Sequence, residues 1–166
     1  MSALDAVTAV YDRLLAVEGV GPNVYNMLRQ SVTDAEFKAL FVDAVTDPTH
    51  PIVRAWRVTR TATDGRDESM NAAKEIHAVE ISGFMSFQDG VSEPVFQQVI
   101  ENIKALFNPL GTPQGANIRR FVSAEYPNGQ FDWSGPMKVM GPRLGTLGSV
   151  LVHAVLMTYP VEEYPL

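Results

Sequence analysis

The chain has no cysteine among its 166 residues. That absence excludes structural disulfides, thiolate nucleophiles, zinc–cysteine sites and iron–sulfur clusters. Histidine is scarce: His50, His77 and His153 are the whole set. No Asn-x-Ser/Thr acceptor occurs. Long apolar runs are missing too. The longest, around Val150–Met157, is interrupted by His153 and too short to span a bilayer. Near the start, Asp5, Asp12 and Arg13 break the apolar residues and no basic region precedes them, which is not the pattern of a signal peptide. The expectation is a soluble, intracellular protein with no membrane partner. Positive charge is also in short supply, with 13 Lys and Arg against 19 Asp and Glu, a net charge of −6. A duplex-binding protein needs clustered cations to displace counterions from phosphate. Here only Arg54/Arg57/Arg60 and Arg119–Arg120 gather, so sequence-specific DNA binding is not expected.

What is present suits one domain over residues 1–166. Leu4, Val7, Tyr11, Leu14 and Leu15 recur at helical spacing over residues 2–18, and Gly19, Gly21 and Pro22 stop that helix. Val24–Leu28 reads as a short strand. Thr33 and Glu36 have the spacing of a capping box, opening a short helix to about Val42 with Phe37, Leu40 and Phe41 as its buried face. Strands are expected over residues 52–61, 74–87, 118–126 and 146–159. In the second of these, His77, Val79, Ile81 and Met85 alternate onto one face, and Ile76, Ala78 and Phe84 onto the other. Ser92–Phe107 is the clearest helix, with Ser92 as cap, Pro94 in the first turn and an apolar stripe from Val95 to Phe107. Thr63–Asn71 reads as a polar connection, Pro127–Gly145 as a long Gly/Pro-rich loop, and residues 160–166 as an extended arm. The sum is an α+β fold: a mainly antiparallel four- to five-stranded sheet with helices packed on one face.

Chemistry-bearing patterns are weak. His77 and His153 would be neighbours if their strands paired in register, yet only Glu75 shares a face with His77 as a further ligand. The run Asp64-Gly65-Arg66-Asp67-Glu68 lacks the ligand count of a calcium loop and reads as a solvated tip or a partner-facing loop. Gly141, Gly145 and Gly148 precede a strand rather than a phosphate-binding helix. No nucleophile-elbow or zinc-helix signature occurs. These readings point to a chain that is not an enzyme and carries no cofactor or metal. Tyr25, just after the Gly/Pro stop, and Phe131, Trp133, Met137 and Met140, in the long loop, read equally as residues folded back on the core or as the composition of a protein interface.

One resemblance gathers these features. The order VRAWRVTR at 53–60, IHAVEISGF at 76–84, SEPVFQQVIENIKAL at 92–106 and a final strand with His153 resembles the tail terminator, or tail completion, proteins of long-tailed bacteriophages. Val17–Asp43 is similar as well, and the likeness covers most of residues 4–160. The resemblance implies a virion subunit at the tail–neck junction. It would form a six-fold ring with its own copies, bind the last ring of tail tube protein, stop tube polymerisation and meet a neck or connector protein. Genomic DNA would pass without sequence-specific binding.

Charge placement nominates Arg54, Arg57, Arg60, Arg66, Arg119 and Arg120 as subunit-interface residues, opposite Asp64, Asp67 and Glu68. Phe131, Trp133, Met137 and Met140 are candidates for contact with tube or neck. Two alternatives stand beside this: a head–tail connector or neck adaptor, and a small hydrolase or ligand-binding domain using His77 and His153.

Overall fold

In the computed structural model, elements form where apolar periodicity meets a backbone stop. The structure describes residues 3–46, 48–69, 72–88, 90–107, 120–121, 129–133 and 137–165. Helix α1 (Ala3–Leu15) buries Ala6, Val7, Ala9, Val10 and Leu14, positions three and four apart on one side. Leu15, assigned to that stripe from sequence, is exposed instead. The chain reverses at Gly19, whose φ of +87° suits a residue without Cβ. A Cβ there would also meet Val99 at 2.7 Å, so the turn seats directly on the third helix.

Strand β1 (Val24–Tyr25) follows, then helix α2 (Asp34–Phe41) and strand β2 (Val42–Asp43). The capping box of α2 is formed: the Glu36 amide donates to Thr33 Oγ1 at 3.2 Å, and the Thr33 amide to Glu36 Oε2 at 3.0 Å. These backbone donors hold the Glu36 carboxyl below its ordinary pKa. The expected buried face of α2 is not found. None of its residues is buried; Phe37 and Phe41 pack on each other with ring centroids 5.2 Å apart.

Two long strands, β3 (Ile52–Ser69) and β4 (Ala72–Ser86), form an antiparallel pair. The polar stretch read as a connection at 63–71 therefore belongs mostly to the ladder, through Ser69, and its described side chains, at Thr63 and Asp64, are exposed. Helix α3 (Ser92–Phe107) buries Phe96, Val99, Ile100 and Ile103. Beyond it come β5 (Arg120–Phe121), β6 (Gly129–Trp133), β7 (Lys138–Leu147) and β8 (Val150–Pro165). The segment 127–145, read as a loop, thus holds β6 and most of β7. Residues 160–165 of the supposed arm are the end of β8, which pairs with β4 up to Glu163 and with β6 up to Pro165, while Leu166 lies outside the described residues. Glycine and proline density concealed these strands; in β7, paired on one side only among the described residues, a lost ladder bond at Pro142 costs little. Of the strand expected at 118–126, only Arg120–Phe121 lies among the described strand residues.

The sheet is mainly antiparallel, in the order β1-β3-β4-β8-β6-β5, with β2 also on β3 and β7 also on β8; the β1–β3 pair is parallel. The fold class is α+β, and the four long strands β3, β4, β8 and β7 are its frame. Helices α1 and α3 cover one face, where Trp56, Val58, Val79, Ile81, Met85, Val155, Met157, Tyr159 and Val161 form a single core with them. Trp56 packs against Phe96 at 5.8 Å between centroids. Its ring lies over Gly83, where a Cβ would sit 2.2 Å from Trp56 Cζ3. The short α2 is the exception to helices on one face: Phe37 and Phe41 border cavities lined by Val53, Phe84, Ser86 and Val150, which alternate onto the opposite face.

Candidate functional site: an open sheet face and two open edges

Alternation along the strands sends Ala55, Arg57 and Thr59 of β3, Glu80, Ser82 and Phe84 of β4, and Ala154, Leu156 and Thr158 of β8 to the face away from α1 and α3. Register adds Lys138, opposite Thr158, Met140, opposite Leu156, and Arg143, opposite Ala154. The central polar group is Arg57. Its Nη2 lies 3.8 Å from Glu80 Oε1 and 3.4 Å from Ser82 Oγ. Both contacts are long for charge-assisted bonds. Its buried Nε has no hydrogen-bond partner.

Beside Arg57 lies a cavity of about 100 Å³, floored by Ala55, Phe41, Phe84 and Leu147 and bordered by Tyr25, Met27 and Arg29. Tyr25 donates to the Leu40 carbonyl at 2.7 Å, which fixes its ring. The Arg29 guanidinium stacks 5.2 Å from that ring's centroid. Burial raises the Tyr25 pKa, and Arg29 works against that rise. A wider groove of about 520 Å³ runs past Val32, Thr33, Phe37, Val53 and Gly148 on the other side of α2.

Among the described residues, each edge of the long-strand frame has a stretch with no further strand paired to it. On β3, β2 covers Ile52 and Val53 and β1 covers Trp56 and Arg57; from Val58 to Ser69 only β4 is paired with it among the described residues. On the far side, β7 pairs only with β8 among the described residues. Edges of this length with free backbone donors and acceptors are templates for another chain.

The residues nominated from sequence fall into different settings. Arg54 is engaged within the subunit: its side chain is 11% exposed, and Nη1 lies 3.7 Å from the fully buried Asp43 carboxylate. Asp43 accepts further bonds from the Val45 and Thr46 amides and the Thr46 hydroxyl. Burial pushes the Asp43 pKa up, but these donors and Arg54 more than offset it, leaving it below the ordinary value. Arg57 is on the open face, and Arg60 is exposed, donating to Thr63 Oγ1 at 2.9 Å. Asp64 is exposed on the free half of β3. Arg66, Asp67 and Glu68 are strand residues whose side chains lie outside the described set, as do those of Arg120, Phe131 and Trp133; Arg119 lies outside it altogether. Met140 is exposed on β7, while Met137, just before it, packs partly against the core.

The two histidines are not brought together. Strands β4 and β8 do pair, but His77 sits opposite Val161 and His153 opposite Met85. Eight strand positions separate them, roughly 26 Å. His77 is buried between Thr63, 3.0 Å from Nδ1, and Glu75, 3.7 Å from Nε2. His153 meets Ser92 Oγ at 2.9 Å and packs on Phe87 and Phe96. Ser92, read as a helix cap, turns back instead to the Gln88 backbone and across to His153. Among the described residues no group of three or more His, Asp or Glu is placed to hold a metal ion. No helix among them is long and apolar enough to cross a membrane.

Arg29 was not singled out from sequence; Tyr25 was, as a loop aromatic of interface composition, and Glu80 only as a carboxylate facing away from His77. The i, i+4 spacing of Tyr25 and Arg29 carries no signal in a segment without regular structure. Phe84 was legible as an aromatic on the second face of its strand.

No protein-family profile matches the chain, and no curated protein matches it. Among solved structures, a chain of the virion of a native gene transfer agent particle is similar at 11% identity and a TM-score of 0.46, covering 99% of this chain and 98% of that one. A second, whose description names no activity, is similar at 13% identity and a TM-score of 0.45, covering 98% and 93%.

Proposed function

We propose that this chain is a structural subunit of a phage-type virion, and that it closes head-to-tail with its own copies into a ring that ends a tail tube and joins it to the neck. The observation that carries this reading is the pair of open edges. The four long strands alternate in direction, so β7 runs opposite to β3. Pairing the free half of β3 with the β7 edge of the next copy is therefore antiparallel, and repeating one such contact around an axis closes a ring. The contact is heterologous, so only a closed ring leaves neither of these two edges exposed.

The open face suits the wall of a channel. Among the residues whose side chains are described, register and alternation place Arg57, Lys138 and Arg143 on it, against Asp64, Glu80 and Glu162. Among those side chains the two signs balance, which suits a wall that a duplex slides past rather than binds. The resemblance of residues 53–106 to tail terminators supports the location and the six-fold count.

Light scattering and electron microscopy of the purified protein test the ring directly. Wild-type protein should give annuli with a central hole of duplex width. Arg60→Glu on β3 and Leu144→Lys on β7 should each shift the population toward monomer while leaving the circular dichroism spectrum intact. A wild-type protein that stays monomeric at every concentration would overturn the ring. Capture by tube protein, rather than by portal or adaptor protein, separates a terminator from a neck adaptor.

A further inference from the structure

The cavity beside Arg57 has features that ring closure does not use. Its volume of about 100 Å³ is that of one side chain; an engineered apolar cavity of about 150 Å³ is enough for benzene. The floor is apolar and aromatic, while two guanidiniums stand at its edge. Arg29 has no carboxylate partner among the described residues, and Arg57 reaches Glu80 only at 3.8 Å with its Nε left unpaired. In a chain of net charge −6, two under-neutralised cations around an apolar hollow are a local inversion. The mouth is apolar beyond the cavity itself: Met27 is 52% exposed, and Leu28, between two lining residues, is 75% exposed. That is more apolar surface than a small acid would cover. It suits an extended stretch of protein.

We propose that the cavity formed by Tyr25, Met27, Arg29, Phe41, Arg57 and Phe84 is a docking pocket for a segment of a partner protein carrying one large apolar side chain flanked by carboxylates. The apolar side chain fills the hollow between Phe41 and Phe84. The carboxylates meet Arg29 and Arg57, and Met27 and Leu28 close over the backbone. The pocket stands independently of the ring, because none of its lining residues belongs to the free half of β3 and it touches β7 only at Leu147.

The test is a titration of protein labelled at its methionine methyl groups, read by nuclear magnetic resonance. The probes are acetyl-Glu-Phe-Glu-amide, its neutral counterpart acetyl-Gln-Phe-Gln-amide, and phenylacetate. The Met27 methyl should move saturably with the acidic peptide and bind it about fivefold or more tightly than the neutral one, the effect of a partly exposed charge pair. Arg29→Gln should remove most of that preference, and Leu28→Ala should weaken both peptides, each read at the Met27 methyl. Both substitutions are at exposed positions, so folding is preserved. Absence of any Met27 shift overturns the pocket. Equal affinity for both peptides overturns the role of the two arginines, and phenylacetate binding as tightly as the acidic peptide overturns a protein segment as the occupant.

Discussion

The two faces of the sheet are built from the same strands and differ in almost everything else. On the covered face, Trp56, Val58, Ile81, Met157 and Val161 are nearly sealed from solvent by α1 and α3. On the other, Arg57, Glu80, Thr158 and Leu156 are only partly buried, and the cover consists of α2, a helix with no buried residue. Apolar area removed from water is the main source of folding stability. The covered face therefore holds the fold, and the open face is free to carry recognition. The sharpest test is on the covered side. Trp56→Ala removes the largest fully buried side chain and its contact with Phe96. It should cost about 3–5 kcal/mol, read from the denaturant midpoint. A loss below about 1 kcal/mol would break the comparison.

Gly83→Ala probes the same contact from the other strand. The added methyl would lie within the Trp56 ring, which Phe96 backs from behind, so the cost is one of overpacking, about 1–3 kcal/mol. The two changes should not add. With the indole gone, the methyl has room, and Gly83→Ala in the Trp56→Ala background should cost much less. Equal costs in both backgrounds would mean that the ring does not rest on Gly83.

Asp43 sits where the covered face meets the edge, and it makes stability depend on pH. Its folded pKa lies below the ordinary value because hydrogen bonds and Arg54 outweigh burial. A depressed carboxylate pKa stabilises the fold above the unfolded pKa, and that stabilisation is lost as pH falls through the folded value. Asp43→Asn should cost about 1–3 kcal/mol at neutral pH. It should also flatten the acid limb of the stability profile. An unchanged acid limb would show that other carboxylates set it.

The covered face was largely legible in the sequence, and the open face was not. Helical spacing at Phe96, Val99, Ile100 and Ile103 and alternation at His77, Val79, Ile81 and Met85 are patterns that burial imposes on residue type. The capping box at Thr33 and Glu36 was legible for the same reason: it needs two particular side chains three positions apart. By contrast, β7 hides behind Gly141, Pro142 and Gly145, because an edge strand makes few demands on its residues. Alternation put Arg54 on the Trp56 face of β3 and Arg57 on the other; what the sequence did not show was their partners, Asp43 on β2 and Glu80 on β4. The cavity of Tyr25, Arg29, Phe41, Arg57, Phe84 and Leu147 joins five segments whose proximity no local pattern records.

The open face carries the smallest expected effect on stability. Arg57 and Glu80 form an ion pair at 3.8 Å with side chains 34% and 19% exposed. Water competes for both groups at that exposure, and the separation exceeds that of a direct charge-assisted hydrogen bond. A double-mutant cycle of Arg57→Met and Glu80→Gln should therefore return a coupling of about 0.2–1 kcal/mol. If the face serves recognition, the same two changes should alter assembly or partner capture far more than they alter the denaturation midpoint. Removing Arg57 leaves Glu80 uncompensated on the proposed channel wall, and removing Glu80 does the reverse, so their effects on assembly should differ in sign with respect to salt. A coupling above about 2 kcal/mol, well beyond the range for exposed pairs, would make the open face a structural element in its own right. The division of labour between the two faces would then fail.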